Sequence, residues 1–187
     1  MTTTVSDQTI ITDVLKGDTR AFASLMERYA ARVYALVAGL TGDGDDAADL
    51  TQEIFIKVFG SLSSFKGRSS FSTWLFRISY NMVVTRLRKP QAPDSVSGDD
   101  RFWDNIADTA TDTADDEEDG MPTGDMLYEA LDLLLPDERT LISLFYLDGK
   151  SLAEIAFIMS ITETNAKTRL FRIRKKLHKT LSDGIRQ

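Results

Sequence analysis

Residues 90–125, PQAPDSVSGDDRFWDNIADTATDTADDEEDGMPTGD, carry twelve acidic side chains against one basic side chain, Arg101. Aspartate, threonine, serine, glycine and proline dominate the stretch, and apolar residues recur in it at neither helical nor strand spacing. Such a composition buries too little apolar surface to offset the entropy lost on ordering. No single hydrophobic core is expected to run through it, so the 187-residue chain should hold two small cores joined by a largely disordered acidic linker. Within the linker, Phe102, Trp103 and Ile106 form at most a brief anchor or a transient cluster.

The same stretch explains the overall charge. Alone it carries −11, whereas the whole chain carries −7, which leaves +4 on the remainder. The positive charge is itself uneven, because from Thr164 onward eight lysines and arginines stand against Asp183 alone.

Apolar residues on both sides of the acidic stretch recur at three- and four-residue steps, the mark of amphipathic helices. Ile10, Ile11, Val14 and Leu15 precede Gly17, a helix stop. Asp18 can cap a long helix carrying Phe22, Leu25, Met26, Tyr29, Val33, Leu36, Val37 and Leu40. Asp45 or Asp46 can cap a third, with Leu50, Ile54, Phe55, Val58 and Phe59 as its buried stripe. A fourth begins near Ser70 or Ser72 and ends before Pro90. Four such helices make a compact bundle. Beyond the linker come Leu127, Leu131, Leu134 and Leu135, stopped by Pro136, then a helix through Leu141, Leu144, Phe145 and Leu147 up to Gly149. Ser151-Leu-Ala-Glu154 has the form of a capping box. It opens a short helix that breaks at Met159-Ser160-Ile161, and Thr162 can cap a second helix reaching about Leu181. Two helices across a tight turn are a helix-turn-helix. The expected fold is all-α, with a four-helix bundle and a helix-turn-helix domain.

The chemistry open to this chain is narrow. With no cysteine and one histidine, His178, disulfides, zinc sites and most imidazole catalysis fall away. There is no glycine-rich phosphate loop, nucleophile elbow or HExxH pattern, so neither an enzyme nor a cofactor or metal is expected. No stretch approaches the ~20 apolar residues of a membrane span, and MTTTVSDQTI lacks the features of a secretory leader, so a cytoplasmic location is expected.

Binding is more promising. In the last helix Ala166, Leu170, Ile173, Leu177 and Leu181 recur as a core stripe. Asn165, Lys167, Thr168, Arg169, Phe171, Arg172, Lys175, Lys176 and Lys179 fall elsewhere. Arginine and lysine suit guanine edges or phosphates, asparagine suits adenine, and an exposed ring suits a thymine methyl. A basic helix by itself is as readily a solvated surface, but after a capped short helix and a tight turn it points to the major groove. In the fourth helix Arg77, Asn81 and Arg88 cluster with Trp74 alongside, a mixture of rings and cations that suits unstacked bases. An aromatic stripe of that kind also serves as plain core. The third helix exposes Asp49, Gln52, Glu53 and Lys57, which in isolation is simply a solvated face.

Taken in order, DDAADLTQEIFIKVF, SFKGRSSFSTWLFRISYNMVVTRLRK and LPDERTLISLFYLDGKSLAEIAFIMSITETNAKTRLFRIRKKL resemble the two domains of extracytoplasmic-function sigma factors of the bacterial sigma-70 family. The resemblance covers nearly all of the chain outside the linker. It implies a σ2 domain at about 6–90, a linker at 91–124 and a σ4 domain at about 125–183. The implied partners are core RNA polymerase, through its β′ clamp coiled coil and β flap, and promoter DNA, both as duplex and as melted non-template strand. An anti-sigma factor is implied as well. Asp49, Gln52, Glu53, Phe55 and Lys57 match the segment that docks on the clamp. Ser70, Thr73, Trp74, Arg77, Asn81 and Arg88 match the reader of the minus-ten element. Asn165, Lys167, Thr168, Arg169, Phe171, Arg172 and Lys176 match the reader of the minus-thirty-five element. In this family the connector runs through the polymerase cleft towards the RNA exit path. The acidic stretch here is longer and more charged than in a minimal member.

The residues by themselves leave two other readings open. One is a stand-alone helix-turn-helix regulator whose N-terminal bundle dimerises or binds a ligand. The other is an interaction adaptor with no DNA role, for which the basic helix would be dispensable.

Overall fold

The computed structural model describes residues 5–42, 44–87, 131 and 133–184, with side chains as far as Thr180. Among these residues there are seven α-helices and no strands. They group into two units divided between Gln91 and Ala92. The acidic linker, with Phe102, Trp103 and Ile106, lies outside the described residues, as do Leu127, Arg88 and the side chain of Leu181.

In the first unit α1 (Asp7–Leu15), α2 (Phe22–Thr41), α3 (Gly44–Ser61) and α4 (Phe71–Leu87) form a bundle, with α2 packed against the other three helices. Leu25, Val33 and Val37 of α2, Ile54 and Val58 of α3, and Leu75, Phe76 and Val83 of α4 are fully buried. Leu75 and Phe76 are sequence neighbours pointing about 100° apart, so α4 is wedged between two partners rather than laid on one. The Ser6 side chain caps α1 by accepting the Thr9 amide at 3.2 Å. Asp7 then ties α1 to α2, accepting an ion-paired hydrogen bond from Arg28 and another, at 2.5 Å, from the Tyr29 hydroxyl. The Tyr29 phenol is pushed up to about 12, first by burial and then by its bond to the Asp7 carboxylate.

Three helix starts differ from the sequence expectation. Asp18 caps a 3-10 turn, Thr19–Ala21, rather than α2 itself, with its carboxylate accepting the Arg20 amide at 3.2 Å. Helix α3 already runs at Gly44, which puts Asp45 and Asp46 in its first turn, where negative charge suits the helix dipole. Pro136 begins a helix as well as ending a run. It stands first in α5 (Pro136–Tyr146) after Leu135 in extended geometry, a position where the missing amide proton costs nothing.

In the second unit α5, α6 (Leu152–Met159) and α7 (Glu163–Gly184) pack on one another. The capping box forms as expected: Ser151 Oγ accepts the Glu154 amide at 3.2 Å, and Glu154 Oε2 accepts the Ser151 amide at 3.0 Å. Gly149 (φ 61°) turns the chain ahead of it, and Ser160 (φ 55°) makes the tight turn between α6 and α7. Thr162 Oγ1 then caps α7 by accepting the Asn165 amide at 3.2 Å. Ala166, Leu170, Ile173 and Leu177 are buried, so this part of the α7 stripe is committed to the core.

Candidate nucleic-acid and polymerase interfaces

Helix α7 carries the second unit's basic surface because its apolar stripe takes the core side and leaves most of the other arc exposed. Asn165, Lys167, Thr168, Arg172 and Lys176 are exposed, Arg169 is half-buried, and the Phe171 ring is 67% exposed, an unusual position for so apolar a group. Four of these side chains have partners that fix their posture. Asn165 Oδ1 accepts from Arg169 Nε at 2.9 Å, the Thr168 hydroxyl donates to the Thr164 carbonyl at 2.8 Å, and Lys176 Nζ donates to Glu138 Oε2 at 2.9 Å. Arg174 is a strut between helices. Its Nε donates to the Tyr146 hydroxyl at 2.8 Å, and its guanidinium stands 5.4 Å from the Phe145 ring centre.

The loop and first turns of α4 form the second cluster. Ser70 is exposed and its hydroxyl caps α4, accepting the Thr73 amide at 3.2 Å and lying 2.8 Å from the Thr73 hydroxyl. Thr73 itself is fully buried, and its hydroxyl helps hold the start of the helix together. Trp74 is half-buried among Phe65 and Phe71, at 5.3 and 5.9 Å between ring centres. Arg77 and Asn81 are half-buried farther along the helix. Phe65 was missed on sequence because it falls in the loop after a 3-10 turn, outside any periodic stripe. Lys66 and Arg68 follow it, exposed, on the same loop.

On α3, Asp49, Gln52, Glu53 and Lys57 are exposed, and Glu53 lies 3.5 Å from Arg86 of α4. Phe55 does not join them. It is 3% exposed and meets Phe22 edge-on at 6.4 Å, because its position on the helix faces inward with Ile54 and Val58. The apolar group that does stand on the surface is Ile56, 73% exposed, with Phe59 partly exposed nearby. Ile56 breaks the stripe pattern, and that break was the signal for it in the sequence. Among the described residues no cluster of His, Cys, Asp or Glu could hold a metal.

Comparison with known proteins places both units. The family model of Sigma-70 region 2 matches residues 25–92, and that of Sigma-70, region 4 matches residues 124–177. The chain is 31% identical to the RNA polymerase sigma-H factor of Pseudomonas aeruginosa, with all of both chains covered. It is 35% identical to the ECF RNA polymerase sigma factor SigW of Bacillus subtilis, covering 92% of this chain and 95% of that one. Among solved structures, the Bartonella quintana sigma factor RpoE, crystallised with the anti-sigma factor NepR, matches with a TM-score of 0.61. The identity there is 24%, over 86% of this chain and 96% of that one.

Proposed function

We propose a residue-level division of labour for this chain, which belongs to the extracytoplasmic-function sigma factors of the sigma-70 family. As a member, it binds core RNA polymerase and directs promoter-specific initiation of transcription, and it is an initiation factor rather than an enzyme. The cytoplasm, where its polymerase works, is its site of action. Among the described residues no helix is long and apolar enough to cross a membrane.

In the first unit Asp49, Gln52, Glu53 and Lys57 dock on the β′ clamp coiled coil. Phe55 serves that surface only by packing beneath it, and exposed Ile56 adds the apolar contact. Ser70, Trp74, Arg77, Asn81 and Arg88 hold the melted non-template strand at the minus-ten element. Lys66 and Arg68 stand on the loop that leads into this helix. In the second unit, which also meets the β flap, Asn165, Lys167, Thr168, Arg169, Phe171 and Arg172 near the start of α7 enter the major groove at the minus-thirty-five element. An anti-sigma factor holds the protein inactive, as NepR is bound to the Bartonella sigma factor.

The observation that carries this reading is the arc of α7 left over by the core stripe. It combines cations, an amide and a bare aromatic ring behind a capped helix and a tight turn. Run-off transcription with core polymerase and genomic promoter fragments tests it. The expected result is start sites that appear only with the factor and share two upstream elements. A protein that bound its sites unaided by polymerase, and gave no run-off product, would instead be a stand-alone regulator.

A further inference from the structure

Glu138 joins two helices of the second unit. It stands in the first turn of α5, and a single oxygen, Oε2, accepts both the Leu135 amide at 3.0 Å and the Lys176 ammonium at 2.9 Å. One carboxylate thus closes the start of α5 and also binds a cation of the proposed recognition helix. At 100° per residue, Arg172, Lys176 and Lys179 fall within about 60° of one another on α7, so Lys176 lies in the row that faces duplex DNA in the function proposed above. Both partners keep access to water, with side-chain exposures of 43% for Lys176 and 28% for Glu138. A phosphate can therefore reach the lysine, but only by competing with a carboxylate already in place. Burial pushes the Glu138 carboxyl up, yet the hydrogen bond from Lys176, the Leu135 amide and the lysine's charge outweigh it and hold the group below its ordinary value.

We propose that Glu138 limits the affinity of this unit for DNA of any sequence by holding Lys176 in an ion pair that duplex phosphate must displace. The consequence is specificity. Counterion release at phosphates supplies most of non-specific binding, whereas base contacts supply discrimination. Masking one phosphate-facing cation lowers the first without touching the second, so a larger share of the remaining affinity comes from Arg172 and its neighbours at the start of α7. The inference rests on the reading of α7 as the DNA face.

The test uses the full-length chain and a fluorescent duplex of random sequence at low salt, read by anisotropy. Glu138→Gln keeps an oxygen for the Leu135 amide, as a capping glutamine does, and removes the charge that holds Lys176. It is expected to bind the duplex roughly two- to fivefold more tightly, the size of one part-exposed ion pair. In a Lys176→Ala background the same substitution should do nothing. Equal tightening in both backgrounds would mean that Glu138 acts only as a bare negative charge near DNA, which overturns the proposal. No tightening in either background, with an unchanged helical circular-dichroism signal, overturns it as well. Lys179→Ala, which removes another exposed phosphate-facing cation of the same row, serves as the control for the underlying reading. If its loss leaves duplex binding unchanged, α7 is not the DNA face and both conclusions fall. If it weakens binding while Glu138→Gln has no effect, only the proposal about Glu138 fails.

Discussion

Arg172 and Phe55, both given interface roles by the family motifs, part company in three dimensions. Arg172 stands exposed on α7 while Ile173, the next residue, is buried, so truncating Arg172 to alanine removes a reaching group without opening a hole. The expected cost is roughly 1 to 3 kcal/mol on the preferred promoter, with relaxed preference at one or two bases. Transcription from promoters with and without the upstream element measures it, and an equal loss on both would deny Arg172 a base contact. Phe55 behaves in the opposite way. Enclosed by Phe22 and the bundle, its replacement by alanine should lower unfolding stability by roughly 3 to 5 kcal/mol. Glu53→Lys, on the same helix but exposed, gives up a surface ion pair with Arg86, so it should cost no more than about 1 kcal/mol of stability and instead weaken co-purification with core polymerase. Denaturant unfolding and pull-down on the same two variants separate the roles, and unchanged core binding by the lysine variant would count against the docking face.

At the scale of the element, the helix-turn-helix depends on caps that fix where each helix begins. The exchange between Ser151 and Glu154 sets the start of α6, Thr162 sets that of α7, and between them Ser160 bears a left-handed backbone with no glycine to ease it. A non-glycine residue in that region costs roughly 1 to 2 kcal/mol, part of which glycine gives back as unfolded-chain entropy. Ser160→Gly should therefore raise the stability of the second unit by up to about 1 kcal/mol and leave promoter preference unchanged, since the turn keeps its shape. Thermal unfolding checks the first expectation, and a loss of stability would mean that the serine side chain is needed in the turn. Helix α4 tells a different story. Its apolar residues cover two sides, and its polar groups divide between a buried Thr73 and a half-buried Arg77 and Asn81, so periodicity marked the helix but could not rank its faces.

Across the whole molecule, two modest DNA contacts on one chain act together once both are tethered to the same polymerase, because the second contact becomes intramolecular. The linker that joins the units carries −11 over residues 90–125, a net charge like that of a short nucleic acid. If, as the family resemblance implies, it runs through the polymerase cleft, it competes there with RNA for basic surface. Replacing Asp115, Asp116, Glu117, Glu118 and Asp119 with serine or asparagine should therefore alter the yield of abortive products or the affinity of assembly. If both stay unchanged, the acidity serves solubility alone.

Sequence by itself determined the helices, the capping box, the division into two cores and the stripe of α7, because each is a local pattern: a period of 3.6 residues, a cap three residues from its partner, a run of like charge. It also carried the order of motifs that marks the family. Tertiary structure alone decided which polar or aromatic groups on those helices stay available. Thr73 and Phe55 lie in the right segments but face neighbours that the sequence does not name, and Ile56 faces none. The pairing of Glu138 with Lys176 joins residues 38 positions apart, with no periodic relation between them. Contacts of that range are set by how helices cross, and crossing is fixed by the packing of whole faces rather than by any local run of residues.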